Sequence, residues 1–447
     1  MAPWQPTLAS TYSRPLGENE TFIKMVGDAG HPVAREHWAI NSIATIVPKG
    51  GLAGTIAAQL RRAWGHLRFL HPSIAAFPEG ENLIYHVPGP HELQQWIENS
   101  FKVVDDAESA ADVVRTLPVR PQPSATITFI TKTAELLGHT AHWRTNGIGV
   151  VMLFDALLRL VTQPDLGDPA TLSWGEEVSR LAPAVEDAAS IPDSPSATQK
   201  ALGQTCVETF GLTSGAVGIP FLQGTVPQGT LSAAVRLSPA LTKGVVQAAK
   251  KRDISVTSAV HASLAFANWQ HAAVDRKSQH YTSTVRFSLR PGLYTTGWME
   301  RVEATESWEI IAKHYNEIYQ RGLRKDFING HREYAKGLSE MLHNLPEDLP
   351  PASDIDISSI GIAESLIERI YGSDEWGIEV DSVEVSVEIL TPQATCFVWT
   401  FRDQLNLTVV YNEVFHAQAQ MQDFVESIKS ILLEELRVEE SLSSHVS

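Results

Sequence analysis

The chain has 447 residues, 43% of them hydrophobic, enough for a large core divided between two domains. A formal net charge of -17 with no Lys/Arg run excludes a surface built for nucleic acid or anionic lipid, and leaves room only for a local basic patch on one phosphorylated small molecule. Cys206 and Cys396 make neither a disulfide scaffold nor a metal motif, and no signal pattern or membrane-length apolar run is present, so a soluble, cytoplasmic monomer is expected.

In chain order, LAGTIAAQLRRAWGHLRFL repeats apolar residues at helical spacing through Leu60, Trp64, Leu67 and Leu70, and Pro72 closes it. ENLIYHV and ATITFIT alternate as strands. AELLGHTAHW reads as a strand running into the polar turn HTAHWRTNGIG, His139 to Gly149. The following IGVVMLFDALLRLV reads as a helix with Ile148, Val151, Met152, Leu157 and Leu158 inward and an Asp155–Arg159 pair outward. From about Thr162 to Thr205 the chain is rich in Pro, Ser and Asp, and reads as a linker between a lobe of residues 1–190 and a lobe of residues 191–447.

In the second lobe LSAAVRLS predicts a strand, and PALTKGVVQAAKKRD a helix begun by Pro239. SVTSAVHASLAFANWQHA predicts a buried helix capped by Thr257 or Ser258. YTSTVRFSLRPGL predicts a strand stopped by Pro291 and Gly292, and EDLPPASDIDI a solvated acidic loop. VDSVEVSVEIL, QATCFVWTFRD and QLNLTVVYN follow as three strands at hairpin spacing, before a closing helix QAQMQDFVESIKSILLEEL. Helices and strands mixed in both halves predict an α/β (α+β) protein of two domains.

The turn carries the chemistry. A strand ending at His142, a tight turn through Gly147 and Gly149, and then a helix would present an imidazole at the end of a rigid element. Imidazole is matched to taking a proton near neutral pH. On these residues alone, a catalytic and a structural His142 both stay open. His139, three residues earlier, falls on the other side of the strand and reads as structural. His261 reads as a core histidine on an apolar helix face, and Arg144 as a turn residue paired with a carboxylate.

HWRTNGIGVVMLFDALL resembles the H-x-x-x-D-G segment of the chloramphenicol-acetyltransferase-like superfamily. That superfamily includes plant BAHD acyltransferases, peptide-synthetase condensation domains and fungal trichothecene O-acetyltransferases. Trp-Arg after the histidine and GIG after the turn are most similar to the fungal trichothecene 15-O-acetyltransferase branch. AWGHLRFLHPSIAAF, SVTSAVHASLAFA, VRFSLRPGL, DISSIG and LNLTVVYNEVF resemble further segments of the family along nearly the whole chain. The resemblance implies two similar α/β lobes around a central tunnel. An acyl-coenzyme A cosubstrate would enter from one mouth and a small hydrophobic metabolite from the other. His142 would be the general base midway. Ser358, Ser359 or Thr400 would stabilise the oxyanion; read from the residues alone, the 11 tryptophans are mostly core, with Trp143 and Trp298 as candidates to line an apolar acceptor pocket. Lys250, Lys251 and Arg252 would meet the coenzyme A phosphates. Neither a metal nor a tightly bound cofactor is implied.

The chain departs from the pattern at Asn146, where the family carries aspartate. In the family that carboxylate pairs with an arginine of the second lobe, and Arg290 of SLRPGL stands at the matching position, with Gly147 supporting the turn. An amide keeps one acceptor for that arginine and gives up the charge-assisted bidentate pair. Ala141 replaces the first histidine of condensation domains, and the D-F-G-W-G motif of the plant branch is missing. The function expected is O-acyl transfer, of an acetyl group, from coenzyme A to a hydroxyl of a hydrophobic secondary metabolite. Asn146 also motivates an alternative, the same fold repurposed as a cyclase or pericyclase shaping a polyketide or terpenoid. A non-catalytic binding protein is the third possibility.

Overall fold

The computed structural model describes residues 4–116, 123–224, 226–288, 295–346 and 349–439. The first half begins with strands β1 (Gln5–Leu8) and β2 (Thr11–Pro15), helix α1 (Glu18–Asp28), β3 (Ile40–Gly50) and α2 (Ile56–Leu70). It continues through β4 (Phe77–Glu79), β5 (Asn82–His86), α3 (Pro90–Ser100), β6 (Phe101–Val104), α4 (Ala110–Thr116), β7 (Thr126–Ile130), β8 (Glu135–Thr140) and α5 (Gly147–Val161). Helices α6 (Val185–Ala188) and α7 (Ala197–Gly211) lead into the second half. There follow β9 (Thr230–Arg236), α8 (Pro239–Lys251), α9 (Val256–His271), β10 (Tyr281–Ser288), β11 (Thr295–Val302), α10 (Trp308–Arg321) and α11 (Lys325–His343). The chain closes with β12 (Ile355–Ile362), β13 (Ile370–Gly372), β14 (Trp376–Val387), β15 (Ala394–Phe401), β16 (Gln404–Asn412) and α12 (Gln418–Leu436).

Two mixed sheets form the lobes. The first has the order β13-β14-β3-β8-β7-β6 and is covered on one face by α2 and α5. Leu60, Trp64 and Leu67 of α2 and Val150, Val151, Phe154, Leu157 and Leu158 of α5 are buried against Ile40, Ala44, Ile46 and Leu136 of the sheet. Each such side chain contributes about 1.5–3 kcal/mol by leaving water. Met152, predicted to face inward, is instead 41% exposed, and Leu70, the last residue of the apolar repeat, is 42% exposed. Met152 stands three residues before Asp155 and seven before Arg159, on the outer face where those two pair at 2.8 Å. Leu70 is the last residue of its helix, beyond the reach of the sheet.

The second sheet runs β12-β15-β16-β9, with β12 parallel to β15 and β15–β16 a hairpin. Its turn, Arg402-Asp403, has φ of 51° and 61°, the left-handed pair that suits a two-residue hairpin. A separate hairpin, β10–β11, lies beside β12. The buried helix α9 is capped by Ser255, whose side chain accepts from the Ser258 N–H, and not by Thr257 or Ser258 as predicted. The hairpin spacing read across three strands holds only for β15 and β16. Strand β14 leaves the second half and pairs antiparallel with β3 of the first, from Trp376 opposite Gly50 to Val387 opposite Ile40. Its Ile378, Val380, Val383, Val385 and Val387 find their apolar partners there.

Two other readings change. The presumed linker is helical from Ala197, started by a capping box of Ser196 and Gln199, and its Glu177 and Glu186 are fully buried. The acidic loop is not solvated at its end: Asp354 is buried and accepts from Gln393 Nε2 at 2.9 Å, and Asp356 begins an ion-pair network described below. Pro291 and Gly292, predicted to stop β10, lie outside the described residues.

Candidate active site

Strand β8 ends at Thr140, so His142 sits on the turn two residues beyond it rather than on the strand. Arg144 ties that turn down. Its Nη1 donates to Thr140 Oγ1 at 2.7 Å, its Nη2 to the Ala76 and Pro123 carbonyls, and its guanidinium lies 4.5 Å from the Trp143 ring centre. These hydrogen-bond acceptors are a hydroxyl and carbonyls, not the predicted carboxylate. Helix α5 then starts at Gly147, with Asn146 as its N-cap: Asn146 Oδ1 accepts from the Gly149 N–H at 2.9 Å. A Cβ on Gly147 would meet Val385 Cγ1 of β14 at 2.4 Å, so only glycine lets the turn close on that strand. Arg290, assigned by resemblance to meet Asn146, lies outside the described residues.

The turn opens into a cavity of about 510 Å³ where the two lobes meet. His142, Asn146, Gly147 and Ile148 line it from the first lobe, with Trp38 ahead of β3. Thr284 and Arg286 of β10, Ser358 and Ser359 of β12, and Thr395 and Phe397 of β15 line it from the second. The His142 ring, 6.4 Å between centres from Trp38, is held well below the usual imidazole range, at about 4. Burial is the main cause, a hydrogen bond to its own main chain opposes it, and the Arg286 guanidinium lowers it further. At neutral pH the ring is therefore uncharged and able to accept a proton. His37 beside it is likewise held to about 4 by burial, and its Nδ1 accepts from the Leu390 N–H at 3.1 Å.

Behind the second-lobe wall runs a chain of hydrogen bonds. Tyr319 OH meets His261 Nδ1 at 3.1 Å, and His261 Nε2 meets Ser283 Oγ at 2.8 Å. Ser283 donates to Asp356 Oδ1 at 2.5 Å, and Asp356 Oδ2 accepts from Arg286 Nη2 at 2.8 Å. His261 is thus fully buried and satisfied, stacked 3.5 Å from the Tyr315 ring. His139 is structural as read: its Nδ1 contacts Asn41 Oδ1 at 2.7 Å in the core.

The remaining expected site residues divide. Ser358 and Ser359 reach the cavity, and Ser359 Oγ lies 3.2 Å from Thr257 Oγ1. Thr400 does not: alternation along β15 puts Thr395 and Phe397 on the cavity side and Thr400 on the other. Trp143 turns away into a cluster with Leu83 and Ala141 under Trp4, and Trp298 is packed between Phe287 and Phe327. Neither is among the cavity-lining side chains described. Ser255 and Tyr319 line both the cavity and a neighbouring surface depression. Lys250 lines that depression. Lys251 is outside it, and Arg252 is engaged with the Glu435 carbonyl. Among the described residues no His, Cys, Asp and Glu cluster could hold a metal ion, and no helix is long and apolar enough to cross a membrane.

Sequence reasoning missed Trp38, Thr284, Arg286, Asn19 and His331 at this cavity. All arrive from segments distant in sequence. Arg286 alone carried a signal, as a lone cation four residues before the arginine singled out on the same predicted strand.

No protein-family model matches the chain. Acetyltransferase pigO of Monascus ruber is 40% identical over 455 residues, covering 98% of both chains. O-acetyltransferase pigM of the same organism is 27% identical over 455 residues, covering 98% of this chain and 88% of its own. The solved trichothecene 15-O-acetyltransferase TRI3 of Fusarium sporotrichioides has the same fold, with a TM-score of 0.81 at 17% identity, covering 97% of this chain and 98% of that one.

Proposed function

Because the chain belongs to the fungal acetyltransferases of the chloramphenicol-acetyltransferase-like superfamily, we propose that it moves an acetyl group from coenzyme A to a hydroxyl of a hydrophobic secondary metabolite held in the cavity between its lobes. The observation that carries this reading is the position of His142 on the wall of the cavity between the lobes, where burial favours the uncharged ring. The acceptor hydroxyl gives its proton to the imidazole as its oxygen attacks the thioester carbonyl. The tetrahedral oxyanion is met by hydroxyls of the β12 wall, Ser358 or Ser359, a contribution typically of ~3–4 kcal/mol per donor. Collapse breaks the carbon–sulfur bond, and the coenzyme A thiolate takes the proton back from the imidazolium. We assign the donor phosphates to Lys250, which lines the depression beside the cavity.

Asn146 caps α5, and aspartate caps a helix equally well, so the cap by itself favours neither acyl transfer nor the cyclase alternative. Thiol release and acetylated product, followed by mass spectrometry with acetyl-coenzyme A and a panel of cyclic alcohols, test the proposal. His142→Ala should lower turnover by ~10²–10⁴-fold while the protein stays folded. Full activity in that variant would remove His142 from the mechanism.

A further inference from the structure

Strand β10 presents two faces by alternation. Ser283 and Val285 are fully buried, whereas Thr284 and Arg286 line the cavity. Among the described residues Arg286 is the one lining side chain that is charged at neutral pH. Its ion pair with Asp356 is lopsided. The Asp356 side chain is 13% exposed, is not part of the lining, and also accepts from Ser283 Oγ and from the Thr284 and Ile357 N–H groups. The Arg286 side chain is 33% exposed. Its guanidinium is engaged through the two terminal nitrogens: Nη2 donates to Asp356 Oδ2 at 2.8 Å, and Nη1 to the carbonyls of Ile357 and Thr284. Among the described residues Nε makes no hydrogen bond, so the edge formed by Nε–H and the second hydrogen of Nη2 stays available. The pair thus fixes the cation at the cavity wall, where no lining carboxylate among the described residues meets that edge.

We infer that Arg286 is the anion-recognition residue of this cavity and takes a ligand carboxylate on its Nε edge, borne either by the acceptor or by the far end of the acyl group. Two parallel N–H groups match the two oxygens of a carboxylate, and the bonds are charge-assisted. A hydrocarbon ligand would strip water from the same edge and return nothing to it. With a net charge of -17 the molecule as a whole does not attract anions, so selection of one falls to this local cation. The inference rests on the acyl-transfer reading only in naming the two carriers.

Calorimetric titration of the full chain with matched probes tests it without turnover. 6-Hydroxy-2-naphthoate is paired with 2-naphthol for the acceptor, and malonyl-coenzyme A with acetyl-coenzyme A for the acyl group. In at least one pair the added carboxylate should tighten binding about 10-fold or more, and the pair that shows it identifies the carrier. Arg286→Lys keeps a positive charge opposite Asp356 but loses the planar fork, and should cut the preference at least about 3-fold. Arg286→Met combined with Asp356→Asn removes both charges and should abolish it. Arg286→Lys remains informative if the double variant fails to fold. Equal binding within both pairs, no binding of any probe, or a preference unchanged in Arg286→Lys would overturn the inference. Acetyl transfer is measured separately. Carboxylate preference without transfer to any alcohol would leave the anion site standing and remove the acyltransferase reading. Transfer without carboxylate preference would do the reverse.

Discussion

His142 is held near 4 mainly by burial, and Arg286 contributes in the same direction. As a base it is useful only when neutral, so turnover at limiting acceptor should be flat through neutral pH and fall tenfold per pH unit below about 4, if the fold survives. Arg286→Met removes the nearby positive charge and leaves Asp356 unpaired. Both changes favour the imidazolium, so the acid limb should move to higher pH in a pH–rate profile. A limb that stayed in place would mean Arg286 does not act on the ring. At position 146 the cap makes a separate prediction. Asn146→Asp keeps the acceptor for the Gly149 N–H and places negative charge at a helix start, so fold and activity should be equal or higher. Asn146→Ala should cost about 1 kcal/mol in denaturant titration and lower activity. A folded but inactive Asn146→Asp would argue against acyl transfer. The residues of the turn could be found in the sequence because their chemistry is local: one histidine, a cap and glycines within eight positions. Arg286, Trp38, Asn19 and His331 could not, because only tertiary packing brings them to the same cavity.

At the scale of elements, helices with a clear apolar stripe were readable, and α2, α5, α8 and α9 begin and end close to where spacing and caps predict. Errors fell where alternation had to be phased without knowing the partner. Thr400 and Thr395 are equally plausible on a string of letters, and only the pairing of β15 with β12 decides which faces the cavity. Trp143 is turned off the site by the turn that Arg144 holds, a contact 68 residues apart in sequence to the Ala76 carbonyl. The acidic segment misread as solvated has a measurable consequence. Burial raises Asp354 from 3.8 to about 7, so between those values the folded chain binds more protons than the unfolded one, and stability falls as pH rises through that window. Asp354→Asn keeps an acceptor for Gln393 and removes this slope. Its gain in stability should be absent near pH 4, grow toward pH 7 and stay constant above, reaching on the order of 2–4 kcal/mol. Chemical denaturation at the two ends of that range checks it.

At the scale of the whole molecule, buried titrating groups oppose one another. His37, His139, His142 and His331 are each held to about 4, so the unfolded chain binds more protons between 4 and 6.5, and they make stability fall as pH drops. Glu36 and Glu186, raised to about 7 by burial, act in the opposite sense over an overlapping range. The two-lobe architecture with a central cavity was accessible from the resemblance of a few motifs. The exchange of β14 was not, since a strand's own pattern says it is half-buried and not which sheet receives it.

That exchange also sets an order of events during synthesis. Until residues 376–387 emerge from the ribosome, β3 offers an unpaired apolar edge along its whole length, more than three hundred residues after it was made. The nascent first half is thus a template for foreign strands, and its completion waits for nearly the entire chain. Residues 1–190 expressed alone should aggregate, and co-expressing residues 191–447, which carry β14, should return a share of them to solution. Sedimentation of the soluble fraction, with and without the second fragment, measures how far the molecule depends on a strand it receives last.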